Sequence, residues 1–216
     1  MPNKPAPASP AETRRSAATR HPLLVVISGT SGAGKDSVAG RLREDTDNFE
    51  FIVTVTSRKI RDGEVDGYDY IFVSEEKFEK MAAGGEFWEH ADVYGQNKGV
   101  PRRHVEQALA GEKDILMRVD VQGAETIRRL THNQAVTIFV DAPSLDDLEQ
   151  RLRLRKTDSE DQILKRLDVA RRERERLDEF DYLILNHEDC LDDTVEAIRS
   201  ILNAEHHRVH PRKVSL

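Results

Sequence analysis

Short apolar runs alternate with longer charged stretches in which apolar residues recur every three or four positions. The runs Leu23–Ile27, Phe51–Thr56, Ile115–Val119, Val136–Val140 and Tyr182–Leu185 predict buried strands, and Asp69–Val73 a short one. The stretches Ser37–Asp45, Pro101–Leu109, Ala124–Leu130, Ser144–Arg155, Ser159–Leu177 and Leu191–Ala204 predict helices. Ser74 reads as the N-cap of a further helix with Phe78 and Met81 on its apolar edge, and Gly111 closes the helix before it. Strand–helix alternation predicts an α/β fold, a parallel sheet flanked by helices on both faces. Ligands in such folds bind beyond the carboxyl ends of the strands.

Composition narrows the class. A chain of 216 residues buries one sizeable core and accommodates a small inserted subdomain. No apolar run approaches the ~20 residues of a membrane span. The net charge of −7 speaks against a general nucleic-acid binder, so an anionic substrate must meet locally clustered positive charge. A lone cysteine, Cys190, fits a reducing, cytoplasmic setting. Residues 1–21, rich in Pro and Ala, lack large apolar side chains and read as a disordered basic tail, or as a short transit peptide that would make the protein organellar. Residues 205–216 read as a second basic tail, solvated, and Arg171–Arg176 as a solvated helix face laced with ion pairs.

The chemistry starts at Gly29-Thr30-Ser31-Gly32-Ala33-Gly34-Lys35-Asp36-Ser37, directly after the first strand. Glycines at these spacings let the backbone curl its N–H groups around an anion, and the following helix adds the positive end of its dipole. Lys35 then reaches the β- and γ-phosphates of a nucleotide as a point charge. Phosphoryl transfer needs positioning and positive charge more than covalent chemistry. Arg58 and Arg61 follow the second strand, and Arg151 and Arg155 share a helix face that a short link could bring near Arg166. Guanidinium groups suit phosphates because they bind through two donors and stay charged.

These motifs, with Arg61 to Tyr70 (Arg-Asp-Gly-Glu-Val-Asp-Gly-Tyr-Asp-Tyr), Gly85 to Glu89 (Gly-Glu-Phe-Trp-Glu) and Asp120 to Ala124 (Asp-Val-Gln-Gly-Ala), resemble those of guanylate kinases. The likeness runs from Leu24 to about Ala204 and is nearest the branch of some bacteria and plant organelles. It implies a P-loop core that holds ATP with Mg2+, a β-rich GMP-binding subdomain inserted at about residues 56–107, and a helical lid at about 151–167. It implies that Arg58, Arg61 and Tyr70 hold the GMP phosphate and that Glu89 and Asp120 read guanine, with the Thr54 hydroxyl near O6. A carboxylate suits guanine, whose N1–H and 2-amino group are both donors that adenine lacks in that arrangement. The resemblance also implies that Lys35, Arg151, Arg155 and Arg166 take the phosphoryl-stabilising positions and that Asn186 lies near the adenine.

Three positions depart from the family. Lys98 stands where a phosphate-contacting Tyr is common, and Val100 where a base-contacting hydroxyl is. Asp36 separates Lys35 from Ser37, so either Asp36 or Ser37 is the expected magnesium contact. The Lys35-Asp36-Ser37 ending also resembles ribose 1,5-bisphosphate phosphokinases, and a non-catalytic guanylate-kinase-like interaction domain is the third alternative. The resemblance implies GMP and ATP as partners, a monomer or homodimer, and neither nucleic acid nor membrane.

Overall fold

The computed structural model describes residues 21–45, 47–92, 95–154 and 159–214. The first strand, β1 (Leu24–Gly29), is buried along its whole length. An uninterrupted apolar run is stable only where both sheet faces are covered, as here. β1 pairs in parallel with β7 (Asp114–Arg118) and β8 (Val136–Asp141). Outside them lie β2 (Phe49–Ile52) and β9 (Tyr182–Leu185), giving the order β2-β7-β1-β8-β9 with every pairing parallel.

Alternate residues of β1 serve opposite cores. Val25 and Ile27 pack with Val38 and Leu42 of α1 (Lys35–Arg43) and with Val195, Ile198 and Leu202 of α7 (Leu191–His206). Leu24 and Val26 pack on the other face with Val105 of α3 (Arg102–Leu109) and Ile127 of α4 (Val121–Leu130). Each such side chain contributes about 1.5–3 kcal/mol relative to exposure. A third cluster joins α5 (Leu145–Leu154) to α6 (Glu160–Arg174) through Leu148, Leu152, Ile163 and Leu167. These two helices flank the carboxyl end of the sheet. The chain leaves β1 towards β2 and leaves β8 towards β9, so a crevice opens between the ends of β1 and β8.

A second sheet is inserted between β2 and α3. It has the order β4-β3-β6-β5, from β3 (Val55–Thr56), β4 (Ile71–Phe72), β5 (Phe87–Asp92) and β6 (Asn97–Pro101). Its small core stacks Phe78 of α2 (Glu75–Ala83) on Phe87, with ring centres 4.6 Å apart. Ser74 caps α2 as expected, accepting from the Lys77 N–H at 3.2 Å.

Several boundaries differ from the expectations. Phe51–Thr56 is two strands, because the chain leaves the edge of the main sheet after Ile52 and buries Val55 in the second core. Pro101 ends β6 in extended conformation and stands outside α3. α4 starts at Val121, since Asp120 caps it by accepting from the Gly123 N–H at 3.0 Å. α6 stops at Arg174, before a 3-10 turn at Leu177–Glu179. The C-terminal segment is not simply solvated: Arg212 is paired with Asp181 and with Glu205, which is 1% exposed. Of the expected tails and lid, residues 1–20 and 155–158 lie outside the described residues. Among the described residues no helix is long and apolar enough to cross a membrane.

Candidate active site

The loop after β1 has the conformation its glycines permit. Gly29 has φ +129°, and a Cβ there would overlap the Val140 carbonyl of β8. Gly34 has φ +88° and leads into α1; a Cβ there would overlap the Asn186 side chain. Lys35 folds back across the loop and donates to the carbonyls of Gly29 at 2.7 Å and Thr30 at 2.6 Å. Burial pushes its pKa down, opposed by Glu173 and Asp36.

The loop is braced from outside. The Thr30 hydroxyl donates to Asp141 at 2.6 Å. Asn186 donates to the Ala33 carbonyl at 2.8 Å and accepts from Thr194 at 3.0 Å. Arg151 donates to the Asn186 carbonyl at 2.7 Å. Thr30, Ala33, Asn186 and Arg151 therefore support the loop and do not line the cleft in front of it. Ser37 is exposed on the first turn of α1, also off that lining, and Arg155 lies outside the described residues.

The cleft, about 570 Å³, runs from Gly29, Ser31, Gly32, Gly34, Lys35 and Asp36 to the second sheet. Thr54, Arg58, Arg61, Tyr70, Glu89, Lys98 and Asp120 line its far side, and Arg166 of α6 reaches it from the flank. Glu89 on β5 is 6% exposed, and burial together with the nearby Asp120 charge pushes its pKa up to about 8. Gly123 makes room for that carboxyl, since a Cβ there would lie 3.2 Å from the Glu89 carboxyl carbon. Burial lowers the Lys98 pKa, with Asp120 opposing. Glu64 grips Arg58 with both oxygens, one contact at 2.6 Å, and accepts from the Arg61 N–H at 2.8 Å. Arg58 in turn lies over the Tyr70 ring, 4.8 Å from its centre.

A guanylate kinase family model matches residues 21–205. The chain belongs to the guanylate kinase family. It is 44% identical over 195 residues to guanylate kinase 2, chloroplastic/mitochondrial, of Oryza sativa subsp. japonica, covering 90% of this chain and 68% of that protein. It is 40% identical over 193 residues to the guanylate kinase of Carboxydothermus hydrogenoformans, covering 89% and 92%. The crystal structure of guanylate kinase from Anaplasma phagocytophilum superposes with a TM-score of 0.73 at 31% identity, covering 88% and 89%.

Within this guanylate kinase fold, sequence reasoning missed several cleft residues. Arg118, at the end of β7, is 9% exposed and pairs with Asp36 at 2.7 Å. The Arg171–Arg176 run is only in part the expected solvated, ion-paired face: Arg171 and Glu175 are exposed and Arg171 pairs with Asp168, but other positions turn inward. At about 100° per residue its positions point in different directions: Glu173 is buried and accepts from the Ser31 N–H at 3.2 Å, Arg174 pairs with Asp141 at 2.7 Å, and Arg172 lines the cleft. The available signal for Arg118 was a charged residue ending an otherwise apolar strand beside the phosphate loop.

Proposed function

We propose that the protein transfers the γ-phosphoryl group of ATP to GMP, and to dGMP, giving ADP and GDP or dGDP. The supporting observation is one cleft with the Lys35 loop at one end and, at the other, buried Glu89 beside the half-buried Asp120. ATP phosphates are cradled by the loop N–H groups and the start of α1, with Lys35 exchanging its loop carbonyls for phosphate oxygens. Of the two expected magnesium contacts on the first turn of α1, Asp36 is engaged by Arg118 at 2.7 Å, so Ser37 is the one that would hold Mg2+, a cation that takes one or two protein oxygens and completes its shell with phosphates and water. When bound, the metal supplies charge neutralisation across the phosphates.

GMP enters from the second sheet. Glu89 and Asp120 accept from guanine N1–H and the 2-amino group, and the Thr54 hydroxyl meets the base. Arg58, oriented by Glu64, joins Arg61, Tyr70 and Lys98 around the acceptor phosphate. A phosphate monoester oxygen is already an anionic nucleophile near neutral pH, so no general base is required. Arg166 adds positive charge to the transferring group from α6, and Arg151 supports the loop through Asn186. Arg155 is proposed for the same task on its sequence position alone. Closure of the second sheet and of α6 over the cleft expels water and protects ATP from hydrolysis. A sugar bisphosphate offers Glu89 no paired donors, so its burial weighs against that acceptor.

The test is GDP formation from ATP, Mg2+ and GMP, followed by 31P NMR, with Lys35→Ala as comparison. The reading expects GDP from the wild type and a loss of about a thousandfold or more in the folded variant. A wild type that releases no GDP, or a fully active Lys35→Ala, refutes it. A cytoplasmic or organellar location is part of the same proposal, supported by the organellar name of the rice relative.

A further inference from the structure

Arg118 touches three parts of the molecule. It ends β7 beside β1, at the carboxyl edge of the main sheet. One arm donates to Asp36 Oδ1 at 2.7 Å, on the first turn of α1. The other donates to the Asp69 carbonyl at 3.2 Å, and its guanidinium carbon lies 4.5 Å from the Tyr70 ring centre. The guanidinium thus stands at the seam between the donor loop and the acceptor subdomain, with both Asp36 and Arg118 on the cleft wall.

The pair is poorly placed to stabilise the fold. The Asp36 side chain is 57% exposed, and ion pairs with one exposed partner contribute little. Its effect on the cleft is larger. Asp36 follows Lys35 directly, so its carboxylate faces the region where a polyphosphate binds, and like charges a few ångströms apart in a partly dry cleft repel strongly. Tyr70 is held in the same place: the Arg118 and Arg58 guanidinium carbons lie 4.5 Å and 4.8 Å from its ring centre, and the Asp69 carbonyl that Arg118 engages adjoins it in sequence.

We propose that Arg118 is a positioning residue linking the two nucleotide subsites: it draws the Asp36 carboxylate away from the donor phosphates and fixes Tyr70 in the acceptor-phosphate pocket. This rests on the ATP:GMP reading above. It separates two effects that a merely structural arginine would not separate. Loss of Arg118 harms donor binding only while residue 36 is acidic, and harms acceptor binding whatever residue 36 is.

The experiment is a double-mutant cycle of Arg118→Met and Asp36→Asn, with Arg118→Lys as the conservative variant. The readouts are KM for ATP, KM for GMP, and titration of a fluorescent ATP analogue, which needs no turnover. Arg118→Met is expected to raise the ATP KM and the analogue Kd about tenfold. Adding Asp36→Asn should return both to within about threefold of wild type, while the GMP KM stays raised. Arg118→Lys keeps the charge without the two-armed geometry, so it should spare the ATP KM and raise the GMP KM. If Arg118→Met does not fold, Asp36→Asn alone carries the test: the released guanidinium then faces the phosphates and the ATP KM falls. Additive substitutions, or an unchanged ATP KM in Arg118→Met, overturn the inference while GMP turnover by the wild type still stands. Intact coupling in the analogue titration without GMP turnover would overturn the acceptor reading and the Tyr70 half of the proposal, and leave the Asp36 half.

Discussion

Replacing Glu89 with Gln probes the guanine pocket through its proton. Glu89 is 6% exposed and faces the Asp120 charge. Burial and the Asp120 charge hold its pKa near 8, against an ordinary value of 4.5. At neutral pH the empty site therefore holds a protonated carboxyl, which accepts poorly from two guanine donors. Ionising it at pH 7, one unit below the folded value, costs about 1.4 kcal/mol. GMP binding at pH 7 must then release nearly one proton, and GMP affinity should rise about ninefold from pH 6 to 7 and about fivefold from pH 7 to 8, flattening above that. Calorimetric titration in buffers of different ionisation enthalpy counts that proton. Glu89→Gln should release none. It should also raise the GMP KM about thirtyfold to a thousandfold, because its amide opposes a guanine donor, while the ATP KM stays unchanged. The same group sets a stability slope. The unfolded chain loses this proton near pH 4.5 and the folded chain near 8, so the native state binds more protons between them and stability falls as pH rises through that window. Glu89→Gln lacks the slope and should melt several degrees higher than wild type without ligand at about pH 8. A pH-independent GMP affinity with no proton released, or a GMP KM within about threefold of wild type in Glu89→Gln, refutes the reasoning.

Other substitutions follow from the same geometry. Gly29→Ala forces a Cβ into the Val140 carbonyl at a left-handed φ, and should lower stability by more than about 3 kcal/mol, read as soluble yield and melting temperature. Gly123→Ala crowds Glu89 and the Asp120 cap, so it should raise the GMP KM about tenfold or more and leave the ATP KM alone in steady-state assays. Tyr182→Phe removes the 2.6 Å hydrogen bond to buried Glu205, far from the cleft; it should lower stability by about 1–2 kcal/mol in denaturant titrations with kinetics unchanged.

Much of this architecture was legible because parallel strands leave unbroken apolar runs, and the phosphate loop carries its spacing in glycines. The inserted sheet was harder to read. Asn97–Pro101 contains Gly99 and Pro101, which signal turns, and Phe87–Asp92 becomes polar after Glu89, so neither reads as a strand in isolation. Phe51–Thr56 hid a change of sheet because nothing in it interrupts the apolar alternation. In the site, residues aimed at the cleft from motif positions were identifiable. Residues whose meaning depends on a distant partner were not: Arg118 needs Asp36, Glu173 needs the Ser31 amide, and Asn186 supports Ala33. Arg151 belongs with them, since its contact is the Asn186 carbonyl.

The most direct measurement of the central claim is ADP release from ATP and Mg2+ with GMP, dGMP, IMP, AMP and ribose 1,5-bisphosphate as alternative acceptors. The account predicts rapid turnover with GMP and dGMP, a large loss with IMP, which lacks the 2-amino donor, and little with AMP. Preferential phosphorylation of the sugar bisphosphate, or equal use of AMP and GMP, would contradict it.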